Sequence, residues 1–281
     1  MRSQSFYLII LVTIAFIFIG CETGTQQRLN CICLIDYSGS LPDKTLQRYI
    51  QIISSEIFHH LDEKDRLIVL PIDEGAKTEP VKIVYEDFAE KRFSFPSDGY
   101  AHARDSLLKR IRFYVDATSP QIASELETQK EIRKKFTYLT DIFSALEQAN
   151  ILIENNQDDT FLGSLGRFFT GKKRIQTTNI IVIFSDMIQE SNECSFARPW
   201  GCNPKEVKVI IGALKAHDRI PNLLGCKVFV NGRTGKSNLQ VENIRNFWIQ
   251  YFKESKADLL AYDYDSGEEI TSFLSHWKNS R

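Results

Sequence analysis

The chain has 281 residues, 43% hydrophobic and 25% charged, enough for one large core or two small ones. Its 14 glycines and 8 prolines exclude a collagen-like or low-complexity chain, and the apolar share excludes disorder throughout. With 35 basic and 36 acidic residues the formal charge is −1, which argues against nucleic acid as a partner, since that usually demands a basic face.

Arg2 precedes an apolar run from Phe6 to Ile19 broken only by Thr13, short for a full membrane span and patterned like a signal peptide. The run ends at Phe18-Ile19-Gly20-Cys21, which resembles the lipobox of bacterial lipoproteins. That resemblance implies a cleaved leader over 1–20 and a lipidated Cys21; the alternative is an uncleaved anchor helix with an incidental cysteine. Either reading places the remainder outside the cytoplasm, tied to a lipid bilayer of the bacterial cell envelope and facing the periplasm or the cell surface. Residues 21–30 read as the anchor point and a polar tether, with a reach of roughly 30 Å at about 3.3 Å per residue. One domain then fills 31–281.

Alternation of strands and helices follows. CICLID (31–36) is a short apolar run, a fully buried strand by pattern, and the spacing of Leu46, Tyr49, Ile50, Ile53, Ile57 and Leu61 predicts a helix over about 43–61. Strands are predicted at 66–73 and 81–86, the latter close enough to form a hairpin-like edge. Helices over 100–117 and 120–136 are predicted with a break at Thr118-Ser119-Pro120, then a helix over 141–154. NIIVIFSD (179–186) is the second strongly buried strand. A helix over 207–218, a strand over 226–231, a helix over 238–255, a strand over 257–263 and a terminal helix over 266–278 complete the chain. This order implies an α/β fold: a doubly wound, mostly parallel sheet with helices on both faces and one antiparallel edge strand.

The chemistry-bearing residues stand where strands end. The first strand runs into Asp36-Tyr37-Ser38-Gly39-Ser40, and the second apolar strand ends in Ser185-Asp186. In an open parallel sheet ligands bind beyond the carboxyl ends of the strands. Carboxylates and hydroxyls at alternate positions there offer the oxygen donors that hard divalent cations need. Thr140, read as the N-cap of the 141–154 helix, would put another hydroxyl at the same edge.

This set resembles the von Willebrand factor A domain with its metal-ion-dependent adhesion site. The matching stretches are Asp36, Ser38 and Ser40 in a D-x-S-x-S loop, Thr140 within TDIFSAL and Asp186 within VIFSDM, and the likeness covers roughly 31–265. It implies a Rossmann-like fold in which Ser38, Ser40 and Thr140 bind the metal through hydroxyls, with Asp36 and Asp186 binding directly or through water. Mg²⁺ is the expected cofactor, with Ca²⁺ or Mn²⁺ as alternatives, and a protein ligand would supply a carboxylate to the open position. The competing reading keeps the fold but leaves Asp36, Ser38 and Thr140 as mere helix caps, making the chain a metal-independent scaffold or assembly subunit of an envelope complex.

Five cysteines follow Cys21. Cys31 and Cys33 point to one face of a buried strand, while Cys194 and Cys202 bracket a polar loop and are the expected disulfide. That loop would display Phe196, Arg198 and Trp200 as anchors for a partner, or be an ordinary insertion whose Phe196 and Trp200 pack onto the body. The connection 155–178, with Leu162, Leu165, Phe168 and Phe169, reads as an insertion or a short amphipathic helix. Two sharper readings fail. Gly235-Lys236-Ser237 resembles a P-loop ending, but the glycine required five positions earlier is Val230, so no nucleotide is expected. An enzyme is not expected either, a metal-dependent hydrolase being the less favoured alternative: the chain lacks a G-x-S-x-G elbow, the second aspartate of a D-x-D-x-T loop and a histidine in partner position.

Overall fold

The computed structural model describes residues 26–73, 81–91, 93, 100–133, 139–155, 175–191, 193–199, 201–232, 237–263 and 267–280. The chain divides into two compact units. Residues 28–156 with 177–281 hold the sheet and its helices; of the other unit, residues 1–27 with 157–176, only the opening residues of two strands are described.

Six strands, β1 (Gln26–Asp36), β2 (Arg66–Ile72), β3 (Val84–Asp87), β4 (Ile175–Phe184), β5 (Lys227–Asn231) and β6 (Asp258–Asp263), form one sheet in the order β3-β2-β1-β4-β5-β6. β1 and β2 are parallel, with Cys31 opposite Leu67; β4, β5 and β6 are parallel to one another; β3 runs antiparallel to β2 at the edge. Continuous apolar runs are what a strand covered on both faces requires, and β1 from Leu29 to Asp36 and all of β2 are buried.

Side-chain alternation sorts the strands between two cores. Cys31, Cys33, Ile35, Ile180, Val182 and Phe184 face a core shared with α1 (residues 43–60), α2 (Tyr100–Arg133) and α6 (Gly267–Asn279). Ile32, Leu34, Ile181, Ile183, Val228 and Val230 face the other, shared with α3 (Ile142–Glu154), α4 (Pro204–Ala216) and α5 (Asn238–Glu254). The doubly wound α/β architecture is therefore present as the sequence predicts, antiparallel edge included.

Two local expectations are overturned. The stretch 100–133 is one helix with Pro120 inside it, not two helices. A proline in a helix interior costs about 3 kcal/mol. Here Ile111, Val115, Ile122 and Leu126 make a buried stripe that continues across it. Ser119 Oγ also donates to the carbonyl of Ser54 (2.8 Å), a residue of the π-helical segment Ile52–Ile57 within α1. Packing thus outweighs the local penalty.

The second correction concerns the tether, for β1 begins at Gln26 rather than Cys31. Leu29 is fully buried and its amide donates to Asp65 Oδ1 (2.8 Å), while Asn30 Nδ2 donates to Asn179 Oδ1 (2.9 Å). Arg28 and Arg66 both reach Asp87 Oδ2 at 2.6 Å. These polar residues read as a linker because their partners lie far away in sequence.

Burial alone would raise the Asp87 carboxyl, but the two guanidiniums outweigh it and hold its pKa below the ordinary 3.8. Removing one member of a buried ion pair strands the others. Asp87→Asn is therefore expected to lower stability by about 3 kcal/mol at pH 7 in urea unfolding. Because the folded-state pKa is depressed, the contribution is present above the unfolded value and lost as pH falls through the folded one. The gap between wild type and variant should accordingly close below about pH 4.

Candidate metal centre

β1 and β4 are central neighbours whose connections leave in opposite directions, toward β2 and toward β5. Their carboxyl ends therefore flank the switch point of the sheet, where an open α/β fold forms its binding crevice.

Asp36 is the last residue of β1 and is fully buried. Its Oδ1 accepts from the amide of Ser38 (2.7 Å) and its Oδ2 from the hydroxyl of Ser185 (2.8 Å). The hydroxyls of Ser38 and Ser40 lie 2.8 Å apart, and Ser40 Oγ donates to Asp186 Oδ2 (3.1 Å). Asp186 Oδ1 accepts from the amide of Ile188 (2.9 Å). Four of the five predicted metal residues, Asp36, Ser38, Ser40 and Asp186, are thus joined in one hydrogen-bonded group. Ser38 and Asp186 are buried and Ser40 is exposed, so the group opens to solvent at Ser40.

Thr140, the fifth, is buried beside the chain leaving β4: its carbonyl accepts from the amide of Glu190 (2.9 Å). It is not the cap of α3. That role belongs to Asp141, whose Oδ1 accepts from the amide of Ser144 (3.2 Å). A carboxylate at this position meets the helix's partial positive charge better than a hydroxyl one residue earlier.

The electrostatics suit a cation. Burial pushes Asp36 up first, the charge on Asp186 adds to the rise, and the donors from Ser38 and Ser185 oppose it, leaving a pKa of about 7. The two carboxylates repel one another, and the donor set is entirely oxygen, the chemistry that Mg²⁺ and Ca²⁺ take. Among the described residues no cluster of three His, Cys, Asp or Glu side chains offers a different metal site.

Several supporting residues carry no signal in the sequence. Met187 follows Asp186 with φ 63°, a left-handed conformation uncommon for a non-glycine residue, and is fully buried. Ser185 Oγ accepts from its amide (3.0 Å) and its carbonyl accepts from Trp248 Nε1 (3.0 Å), so both sides of the strained peptide are held. Gly232, one residue past β5, has φ 140°, and a Cβ there would stand 2.1 Å from the Ser185 carbonyl oxygen.

The loop after Asp186 departs from expectation in two ways. Phe196, expected at a partner surface, is buried with its ring centroid 4.7 Å from that of Phe247. It is core because Phe143, Phe247, Trp248 and Tyr251 form an aromatic cluster with room for one more ring. Cys194 and Cys202 are free thiols, not a disulfide. The loop is closed instead by hydrogen bonds: Ser191 N to Cys194 O (3.0 Å), Phe196 N to Gln189 O (2.8 Å) and Gln240 Nε2 to Phe196 O (3.0 Å). Burial pushes both thiols up to about 12. The two cysteines line an open cleft of about 370 Å³ together with Phe196, Arg198, Lys205 and Val209.

Arg198 does face solvent, with a loose 3.9 Å contact to Glu206. Trp200, Cys21, the leader and most of the 155–178 connection lie outside the described residues. So do residues 233–236 of the rejected nucleotide motif, whose final Ser237 caps α5 by accepting from Gln240 N (3.1 Å).

No protein-family model matches the chain, and no curated protein does. Among solved structures, the chain is similar to an aerotolerance-related membrane protein from Bacteroides fragilis NCTC 9343 carrying multiple mutations to serines (10% identity, 90% of this chain and 100% of that one, TM-score 0.38). It is similar also to the pilus adhesin SpaC from Lactobacillus rhamnosus GG (12% identity, 92% of this chain and 31% of that one, TM-score 0.44). A von Willebrand factor type A structure from Catenulispora acidiphila aligns at 7% identity over 90% of this chain and 42% of that one, with a TM-score of 0.36. The fold assignment itself stands on the strand order and helix placement described above.

The close approach at Gly232 gives a direct check on the geometry of the switch point. Gly232→Ala must displace the backbone at Ser185, and it is expected to destabilise the protein by at least about 2 kcal/mol in thermal or urea unfolding. The same change at Gly39, where a Cβ would meet nothing within 4 Å, should cost little.

Proposed function

We propose that this protein is a membrane-anchored, extracytoplasmic binding protein that engages the carboxylate of a protein ligand through a divalent metal. The observation that carries this reading is the hydrogen-bonded group of Asp36, Ser38, Ser40 and Asp186 at the switch point, an all-oxygen set that brings two carboxylates together at the sheet edge. Asp36, Ser38, Ser40, Thr140 and Asp186 would hold Mg²⁺, or Ca²⁺ or Mn²⁺. When bound, the metal supplies a Lewis-acidic position for one further anionic oxygen.

The chain's own contribution is positioning. The burial of β1 fixes Asp36, the Ser38 amide and Ser185 hydroxyl orient its carboxylate, and the strained turn at Met187 aims the backbone after Asp186. Neutral hydroxyls make up most of the donor set, which favours capture of an anion over activation of water; binding rather than turnover is therefore the proposed activity. Exposed Arg198, and Trp200 beside it in sequence, remain the residues of the following loop proposed to touch the ligand. Anchoring rests on the leader-like residues 1–20 and on Cys21; among the described residues no helix is long and apolar enough to cross a membrane.

Calorimetric titration of Mg²⁺ and Ca²⁺ into the chelator-stripped, detergent-solubilised full-length chain tests the reading. Saturable uptake is expected in the wild type, weakened at least about tenfold in Asp36→Ala and in Ser38→Ala. A folded wild type that takes up neither ion at millimolar concentration would overturn the metal-dependent mechanism and favour the scaffold.

A further inference from the structure

We infer that Gln189 is a positioning residue of this centre, a buried clamp that makes Thr140 and Asp186 move as one unit. The inference rests on the proposed metal site and names what holds its two halves together.

Thr140 and Asp186 come from different parts of the chain, the first from the segment entering α3 and the second from the exit of β4. Gln189, three residues past Asp186, has no exposed surface. Its Oε1 accepts from the amide of Ile142 (2.8 Å) and its Nε2 donates to Asp141 Oδ1 (3.1 Å), so one side chain serves both the first helical residue of α3 and its N-cap. The next residue repeats the link through the backbone, Glu190 N donating to the Thr140 carbonyl (2.9 Å). Thr140 is thus flanked by one tether on its own carbonyl and two on the residues that follow.

These tethers are stiff at the other end as well. Met187 is held by Ser185 and Trp248, and the Gln189 carbonyl accepts from Phe196 N. A buried amide that loses its partners pays the full desolvation cost, so the Gln189 bonds resist opening independently. A metal held by hydroxyls gains little from each donor, and its affinity then depends on donors already being in place.

The test compares Gln189→Met, similar in length but without hydrogen bonds, with Gln240→Met. Gln240 is equally buried and ties the same loop through the Phe196 carbonyl, but it pins that loop to α5 rather than α3. On the full-length chain, Gln189→Met should weaken Mg²⁺ binding at least tenfold while still unfolding cooperatively. Gln240→Met should leave Mg²⁺ affinity within about twofold even if it melts lower. Native-state hydrogen exchange should show the Ile142 and Glu190 amides exchanging at least tenfold faster in Gln189→Met, with the amides of β2 and β5 unchanged.

Should Gln189→Met not fold, Gln189→Asn reads the loss instead: it is neutral and polar but one methylene too short to keep both the Ile142 and the Asp141 bonds. Unchanged Mg²⁺ affinity at position 189, or an equal loss at 240, overturns the inference. A wild type that takes up no Mg²⁺ overturns the proposed function instead. Exchange at Ile142 and Glu190 then decides the clamp alone, faster exchange supporting it and unchanged exchange refuting it.

Discussion

A carboxylate without solvent contact, Asp36, stands at the end of a strand that is apolar on both faces, and much of the surrounding structure answers to it. A charge in such a place costs several kcal/mol unless it is met by donors or a counter-ion. An amide two residues on and a hydroxyl from the neighbouring strand meet its two oxygens. The sharp turn at Ser38, the hydroxyl at Ser185 and the bare hydrogen at Gly232 all follow from packing groups closely enough around that end of the sheet. The amide and the hydroxyl are neutral donors, and the neighbouring Asp186 adds a second negative charge beside them.

The opposite end of β1 shows how the same protein treats an acid meant only to hold the fold. Asp87 receives two guanidiniums, from Arg28 and Arg66, and its pKa falls. Asp36 receives neutral donors and a second carboxylate, and its pKa rises. One strand thus joins a closed electrostatic site at its start to an open one at its finish. The first acid is neutralised by two cations, whereas the contacts of the second are an amide and a hydroxyl.

Much of this was legible in the sequence because the information was local. Parallel strands covered on both faces must be apolar throughout, so CICLID and NIIVIF announced themselves, and residues just after such strands fall at one edge by construction. Four of the five expected metal donors came together for that reason. What stayed hidden was decided by distant partners. The polar start of β1 pairs with β2, β3 and Asn179; Pro120 is carried by a buried stripe and a bond to Ser54; Phe196 belongs to an aromatic cluster assembled from α3 and α5. Gln189, Met187 and Trp248 have no pattern at all, since their importance lies in which backbone groups they reach. The cysteines misled because an even pair bracketing a loop invites a bridge, whereas the loop closes through its main chain.

The position of β1 also determines how the molecule would bear load. If Cys21 is the anchor, only residues 22–25 separate it from the first residue of a central strand, a span of about 18 Å at most. The proposed ligand site lies at the far end of that same strand. Tension between a held ligand and the membrane would therefore run along β1 itself. It would shear the flanking ladders lengthwise, so that their hydrogen bonds are stressed together rather than peeled apart one at a time. A tether joined to an edge strand would load one such ladder instead of two.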